Sequence, residues 1–237
     1  MKPLGAKAYG SIGHLPGSRV GPSDHHVHEG QAAICTVKPR KGDRVIVQEK
    51  LDGTNVAVAM IGGKLVPLMR AGYTAASSIY AQHWLFHEWA MLPEQSERFR
   101  VVLREGERIV GEWLAQAHGT IYALKHEPFV AFDIMAGKER MTVDAMASRV
   151  AGAFMMAAVV SDGPAFSLDD ARAFAQTSRH GAVGGAEGVV YRVEREGRVD
   201  FLAKWVRPDK LDGYLLQAVS GGAAVWHWWP GCPKDNP

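Results

Sequence analysis

The chain has 237 residues, 47% of them apolar and 22% charged, with 26 Gly, 12 Pro and a formal net charge of +2. That composition can fill one large α/β domain or two small ones, and it excludes a disordered, collagenous or coiled-coil protein. A charge so near zero sets up no global field for a polyanion, so a nucleic-acid partner would have to be held by a local basic surface. The first fifty residues do lean basic, through Lys2, Lys7, Arg19, Lys38, Arg40, Lys41, Arg44 and Lys50 with His25, His26 and His28, although a solvated basic surface reads the same way. The richest apolar run, Met155 to Val160, falls far short of the ~20 residues of a membrane span, and the opening residues lack an apolar core of secretory length. A cytoplasmic protein is expected, with Cys35 and Cys232 as free thiols.

Gly and Pro punctuate residues 3 to 42 so often that an irregular or short-stranded N-terminal segment, packed on the main body, is expected over 1–43. Strands are predicted at Arg44 to Glu49, at Asn55 to Ile61 after a tight LDGT turn, and at Lys64 to Arg70, a meander that suggests one antiparallel sheet. Ser78 to Leu92 has helical spacing, and Pro93 opens a second helix ending near Arg104. Further strands are predicted at Arg108 to Leu114, Phe129 to Ile134 and Phe154 to Val160, with helices opened by Thr142 and by the capping pattern at Ser167 to Asp170. Two strands, Gly188 to Val193 and Val199 to Val206, follow a loop of small residues, and from Ser220 a Trp- and Pro-rich tail carries no clear period. The sum is an α+β protein of antiparallel strands with helices outside: a main domain over 44–219 and a C-terminal arm over 220–237.

The window Glu49-Lys50-Leu51-Asp52-Gly53-Thr54-Asn55 holds a lysine at a strand end beside an acid and an amide. An ordinary β-turn with an exposed lysine has the same local sequence. A nucleophilic lysine must also lose its proton, which takes burial or nearby positive charge because its free pKa is near ~10.4. Four downstream windows each add an acid, base or aromatic on a short strand: Glu112 in GEWL, Phe132 and Asp133 in FVAFDI, Glu187 in EGVVY and Lys204 in LAKWVR.

In order and rough spacing these windows resemble motifs I, III, IIIa, IV and V of the lysine nucleotidyltransferases, the superfamily of ATP-dependent DNA and RNA ligases and mRNA capping enzymes. DNA ligases and capping enzymes usually close motif I with arginine. Asn55 in EKLDGTN is instead similar to the RNA ligase 2 group of phage nick-sealing and trypanosome RNA-editing ligases, many of which have His where this chain has Asp52. Arg70, about twenty residues past the lysine, fits a further family feature, and the resemblance spans residues 44 to 207.

The resemblance implies an antiparallel adenylation domain in which Lys50 attacks the α-phosphorus of ATP to form lysyl-AMP. Glu112 and Glu187 would help hold Mg²⁺, or Mn²⁺ in its place, since a hard cation takes oxygen ligands. Asp52 would orient the lysine or the leaving adenosine hydroxyl, and Lys204 and Arg70 would supply positive charge to phosphates. Phe132 would stack on adenine. The nucleotide-binding set is thus Glu49, Lys50, Asn55, Arg70, Glu112, Phe132, Glu187 and Lys204.

Two departures stand out. Motif V commonly has two lysines separated by one residue, whereas here the second cation, Arg207, is displaced by one position, which on an alternating strand points it to the opposite face unless the strand bends. Only thirty residues follow it, too few for the OB domain of DNA ligases and capping enzymes. His14, Ser18 and Arg19 in the N-terminal segment are candidate contacts to ATP phosphates or an RNA 5′-phosphate; a structural loop set by glycines is the plainer reading. Asp24 to His28 has metal-binding composition but no partner cluster, and a polar loop is favoured. The Gly181 to Gly188 stretch lacks a P-loop ending. The tail could pack on a groove, mediate a dimer or stack on bases, with packing preferred.

The expected function is an ATP-dependent polynucleotide ligase that joins 3′-hydroxyl and 5′-phosphate ends of RNA, with DNA or hybrid ends and the choice between nicks and single strands left open. A capping-like or small-molecule nucleotidyltransferase that stops after transferring NMP is the alternative. A non-catalytic nucleic-acid-binding module is a third reading, which nothing in the sequence recommends. No membrane partner is expected, and the sequence does not set the oligomeric state.

Overall fold

The computed structural model describes residues 2–231; Cys232 and Pro233 lie outside the described residues. In chain order the N-terminal segment gives β1 (Gly13–His14) and α1 (Glu29–Thr36). There follow β2 (Asp43–Lys50), β3 (Thr54–Ile61), β4 (Lys64–Met69), α2 (Ala81–Met91), α3 (Pro93–Val102), β5 (Glu107–Trp113), β6 (Phe129–Ala136) and β7 (Glu139–Arg140). The rest is α4 (Val143–Val150), β8 (Met155–Met156), β9 (Val159–Gly163), α5 (Leu168–Phe174), β10 (Gly188–Arg195), β11 (Arg198–Val206) and a short α6 (Gln217–Ser220). The start signals act as expected: Pro93 occupies the first turn of α3, Thr142 Oγ1 accepts from Ala145 N–H, and Ser167 and Asp170 form a capping box on α5. No helix among the described residues is long and apolar enough to cross a membrane.

Two sheets result. The first runs β1-β11-β10-β2-β9 and the second β4-β3-β5-β6-β7, with β8 on β6. All ladders are antiparallel except β1 with β11 and β8 with β6. The expected meander is corrected here: β3 and β4 pair, but β2 belongs to the other sheet. Residues 51–53 carry the chain across, and Gly53 passes so close to β5 that a Cβ there would lie 2.6 Å from the Trp113 carbonyl. Gly53→Ala is therefore expected to cost about 1–3 kcal/mol by forcing backbone apart, read as a lower urea midpoint at unchanged m-value; a midpoint equal to wild type refutes it.

The stretch Phe154 to Val160 is likewise not one strand. Ala157 N–H donates to Ala131 of the second sheet while Ala158 C=O accepts from Glu49 of the first, so the chain changes sheets between them. The N-terminal segment also holds a helix: Ala32, Ile34 and Cys35 of α1 are buried against the first sheet. A two-turn helix is too short to show through the surrounding glycines.

Period-two alternation sets the two faces of each sheet. On the first, Val45, Val47, Val189, Tyr191, Val193, Ala203 and Trp205 face α1 and α5. On the second, Val56, Val58, Ile109, Trp113 and Phe129 face α2 and α3, where Phe86, Trp89, Phe99 and Phe154 complete an aromatic core. Phe99 and Phe154 stack at 4.4 Å between centroids. The remaining faces look at each other, with alanines and aliphatics at one end of the gap, including Ala57, Ala59, Val110 and Leu202, and the polar residues at the other.

Candidate active site

The gap between the sheets opens into a cleft of about 1140 Å³. Register explains what lines it. Gln48, Val190 and Lys204 are paired across β2, β10 and β11, and Ile46, Arg192 and Leu202 form the next row on that face. From the facing sheet come Asn55 and Glu112, themselves a cross-strand pair. On β6, Val110 pairs with Asp133 and Gly111 with Ala131, so Phe132 is an extra residue in a bulge. The bulge turns both Phe132 and Asp133 toward the first sheet: Phe132 lines the cleft and Asp133 accepts from Arg192 at 2.8 Å.

Lys50 ends β2 on the cleft floor. Its Nζ donates to Glu187 Oε2 at 2.5 Å. Burial acts to lower its pKa, but Glu187, Glu112 and Asp52 outweigh it and raise the value above that of an ordinary lysine. Glu187, just ahead of β10, has its pKa raised by burial against the opposing pull of Lys50.

Glu112 accepts from Gly53 N–H at 3.1 Å, which ties β5 to the crossing turn. Burial, opposed by Lys50 and assisted by Glu187, pushes its pKa up to about 8. An unfolded glutamate titrates near ~4.3, so between that pH and about 8 the folded chain holds the extra proton and stability falls as pH rises. Glu112→Gln keeps the neutral shape. It is expected to flatten that decline and to raise the melting temperature at pH 8 by on the order of 3 °C, checked by melting both proteins from pH 5 to 9. Parallel curves for the two would refute it.

Asp52 is not aimed at the lysine. Its carboxylate accepts from Gly119 N–H at 2.9 Å and from Lys210, which also donates to Thr120 Oγ1. Burial raises the Asp52 pKa, yet Lys210 prevails and holds it below the usual value. Its N–H donates to Tyr122 Oη, and Tyr122 N–H donates in turn to His227 of the C-terminal arm. The described part of that arm packs: Trp226 bridges Gln116, and Trp228 meets the Trp113 ring edge-on at 5.6 Å.

The sequence profile of the RNA ligase family matches residues 43–206. The chain belongs to the RNA ligase family. Among solved structures, an archaeal ATP-dependent RNA ligase superposes with a TM-score of 0.50 at 24% identity, covering 69% of this chain and 42% of that one. A Naegleria gruberi RNA ligase with PPi gives a TM-score of 0.55 at 17% identity, covering 82% and 58%. A mutant of the Naegleria enzyme with ATP and Mn gives 0.53 at 16%, covering 84% and 60%. These likenesses show the fold, and this RNA ligase family chain spans about half the length of the structures it matches. No curated protein sequence matches it.

Of the residues named from sequence, Lys50, Asp52, Asn55, Arg70, Glu112, Phe132 and Lys204 all line the cleft of this RNA ligase family chain, and Glu187 joins them through Lys50. Asn55 Oδ1 is buried with no hydrogen-bond partner among the described residues. Arg70 lies at the exposed rim, 3.4 Å from Gly10 O and Ser11 Oγ. Glu49 contributes to the wall, but its carboxylate turns away to accept from Ser178 Oγ at 2.5 Å and Arg179 N–H at 2.7 Å.

Four further candidates lie outside the cleft lining. Arg207, just past the end of β11, is bound to Asp209 and to Gly184 O. His14 and Ser18 bond each other at 2.7 Å, and Arg19 is 3.8 Å from Asp212; none of the four lines the cleft. The cause for His14 is its place in β1, where residues 25–27 pair along one side and β11 along the other. In the histidine tract, His26 Nδ1 meets His14 O at 3.3 Å.

Sequence reading missed Lys210, Gln48 and Arg192, and it set Asp24 aside as part of a polar loop. Gln48 and Arg192 follow from alternation, two positions from Lys50 and Val190. Lys210 and Asp24 lie in irregular segments whose sequence carries no such signal.

Proposed function

We propose that this chain joins RNA ends at the expense of ATP, with Lys50 as the nucleophile that carries the adenylate. What carries the reading is Lys50 Nζ set 2.5 Å from Glu187 on the floor of a cleft whose facing wall presents Glu112. The reaction has three stages: Lys50 Nζ bonds to the α-phosphorus of ATP and expels pyrophosphate, the AMP passes to an RNA 5′-phosphate, and a 3′-hydroxyl attacks that phosphate and releases AMP.

In the free protein Lys50 is held as an ammonium by its carboxylate neighbours, so the first stage must remove that stabilisation. Glu112 and Glu187 both neighbour the Lys50 amine, and two carboxylates suit a hard cation that fills the rest of its shell with phosphate oxygens and water. Glu112 and Glu187 are the residues that would hold such a divalent cation, and its positive charge would favour the neutral amine. Lys204 and Arg70 supply charge to the phosphates. Phe132, aimed by its bulge, offers a stacking face to the base, and the unpaired Asn55 Oδ1 offers an acceptor to a hydroxyl or amino donor on the nucleotide.

The test is incubation with labelled ATP or GTP and Mg²⁺ or Mn²⁺, a denaturing gel, and then a panel of nicked and single-stranded RNA, DNA and hybrid substrates. An ATP-dependent covalent adduct followed by sealing is expected. An adduct without sealing on any substrate means an enzyme that only transfers NMP, and no adduct at all overturns the proposal.

A further inference from the structure

Lys204 reaches into the cleft from β11 with Nζ 3.6 Å from Asp24 Oδ1. Asp24 comes from the N-terminal segment, outside the family match at 43–206, and is built into place. Its Oδ2 accepts from Gly21 N–H at 3.0 Å and lies 3.1 Å from His14 Nε2. His14 is fixed in turn. Ser18 Oγ accepts from Val206 N–H at 2.9 Å and meets His14 Nδ1 at 2.7 Å, so the ring is held between Ser18 on one side and Asp24 on the other. Burial, with Lys204 adding to it, lowers the His14 pKa to about 4. The neutral imidazole thus abuts the carboxylate without cancelling its charge, and the anion faces Lys204.

We infer that Asp24 is a resident counter-anion, which partners Lys204 in the free protein and competes with the nucleotide's phosphates for it, and that His14 and Ser18 are positioning residues holding Asp24 there. The inference rests on the nucleotide-binding role proposed for Lys204. Its physical content is a sign. An ordinary stabilising ion pair would weaken ligand binding when broken, whereas a competing anion opposes the ligand and its removal tightens binding.

The experiment is calorimetric titration of the full chain with inorganic pyrophosphate and with a non-cleavable α,β-methylene ATP analogue, for wild type, Asp24→Asn and Asp24→Glu. Asp24→Asn is expected to tighten both ligands roughly fivefold, with the gain shrinking at high salt, and to lower KM for ATP while leaving the single-turnover adenylylation rate unchanged. Asp24→Glu restores the charge and should return affinity toward wild type. Unchanged or weaker binding by Asp24→Asn, or equal behaviour of the two variants, overturns the inference. Should Asp24→Asn fail to fold, His14→Ala carries the same sign at smaller size, and no tightening there overturns it equally. A wild type that forms the ATP adduct while Asp24→Asn does not tighten defeats this inference alone; a wild type that binds neither ligand defeats the proposed function with it.

Discussion

Lys50→Ala is expected to form no covalent nucleotide adduct and to lose ATP-dependent sealing by on the order of 10⁴-fold or more. The neighbouring amines cannot stand in. Lys210 is committed to Asp52 and Thr120, and Lys204 lies opposite Asp24 on another strand. Lys50→Arg should fail as well, since a guanidinium stays protonated and cannot supply a lone pair. Noncovalent ATP binding should survive, because the cleft wall, Phe132, Arg70 and Lys204 are untouched. Sealing of a strand supplied already adenylylated should also persist, since the last stage does not use the amine. Gel detection of adduct and sealing with both kinds of strand checks the whole pattern. An adduct on Lys50→Ala would move the nucleophile elsewhere.

Lys210→Met is expected to be the most destabilising of the proposed changes, by about 3–5 kcal/mol. Its side chain is 5% exposed and that of Asp52 11%, so losing the lysine leaves a buried carboxylate without its ion-pair partner, held by Gly119 N–H and by the more distant charge of Lys50. The same loss frees the turn that holds Lys50, and adenylylation should fall with it. Combining Lys210→Met with Asp52→Asn removes the uncompensated charge, so the double variant should lose less stability than Lys210→Met alone. Denaturant unfolding of the four proteins closes the cycle, and strictly additive losses would mean the pair is not coupled.

These residues also mark where sequence was readable. Lys50, Glu112 and Lys204 could be named because the windows that carry them stand in the order and rough spacing of a known motif series, each on a short strand. Alternation then set Arg207 apart from Lys204. The outer helices were legible through Pro93, Thr142 and Ser167, whose capping chemistry is local. What escaped was long-range. Nothing in LDGT says that its two flanking strands enter different sheets, because that choice is made by the Trp113 backbone packed against Gly53. Nothing near Lys210 or Asp24 says which charge each will meet across the fold. The bulge at Phe132 was equally silent, since it is defined by the register of β5 and not by β6 alone.

Because the chain changes sheets at residues 51–53, Lys50 stands on one sheet, with Glu187 just ahead of its neighbouring strand β10, while Glu112 and Asn55 stand on the other. Two glutamates that look interchangeable along the sequence therefore approach the amine from opposite walls, one as its direct partner and the other anchored to the crossing turn through Gly53.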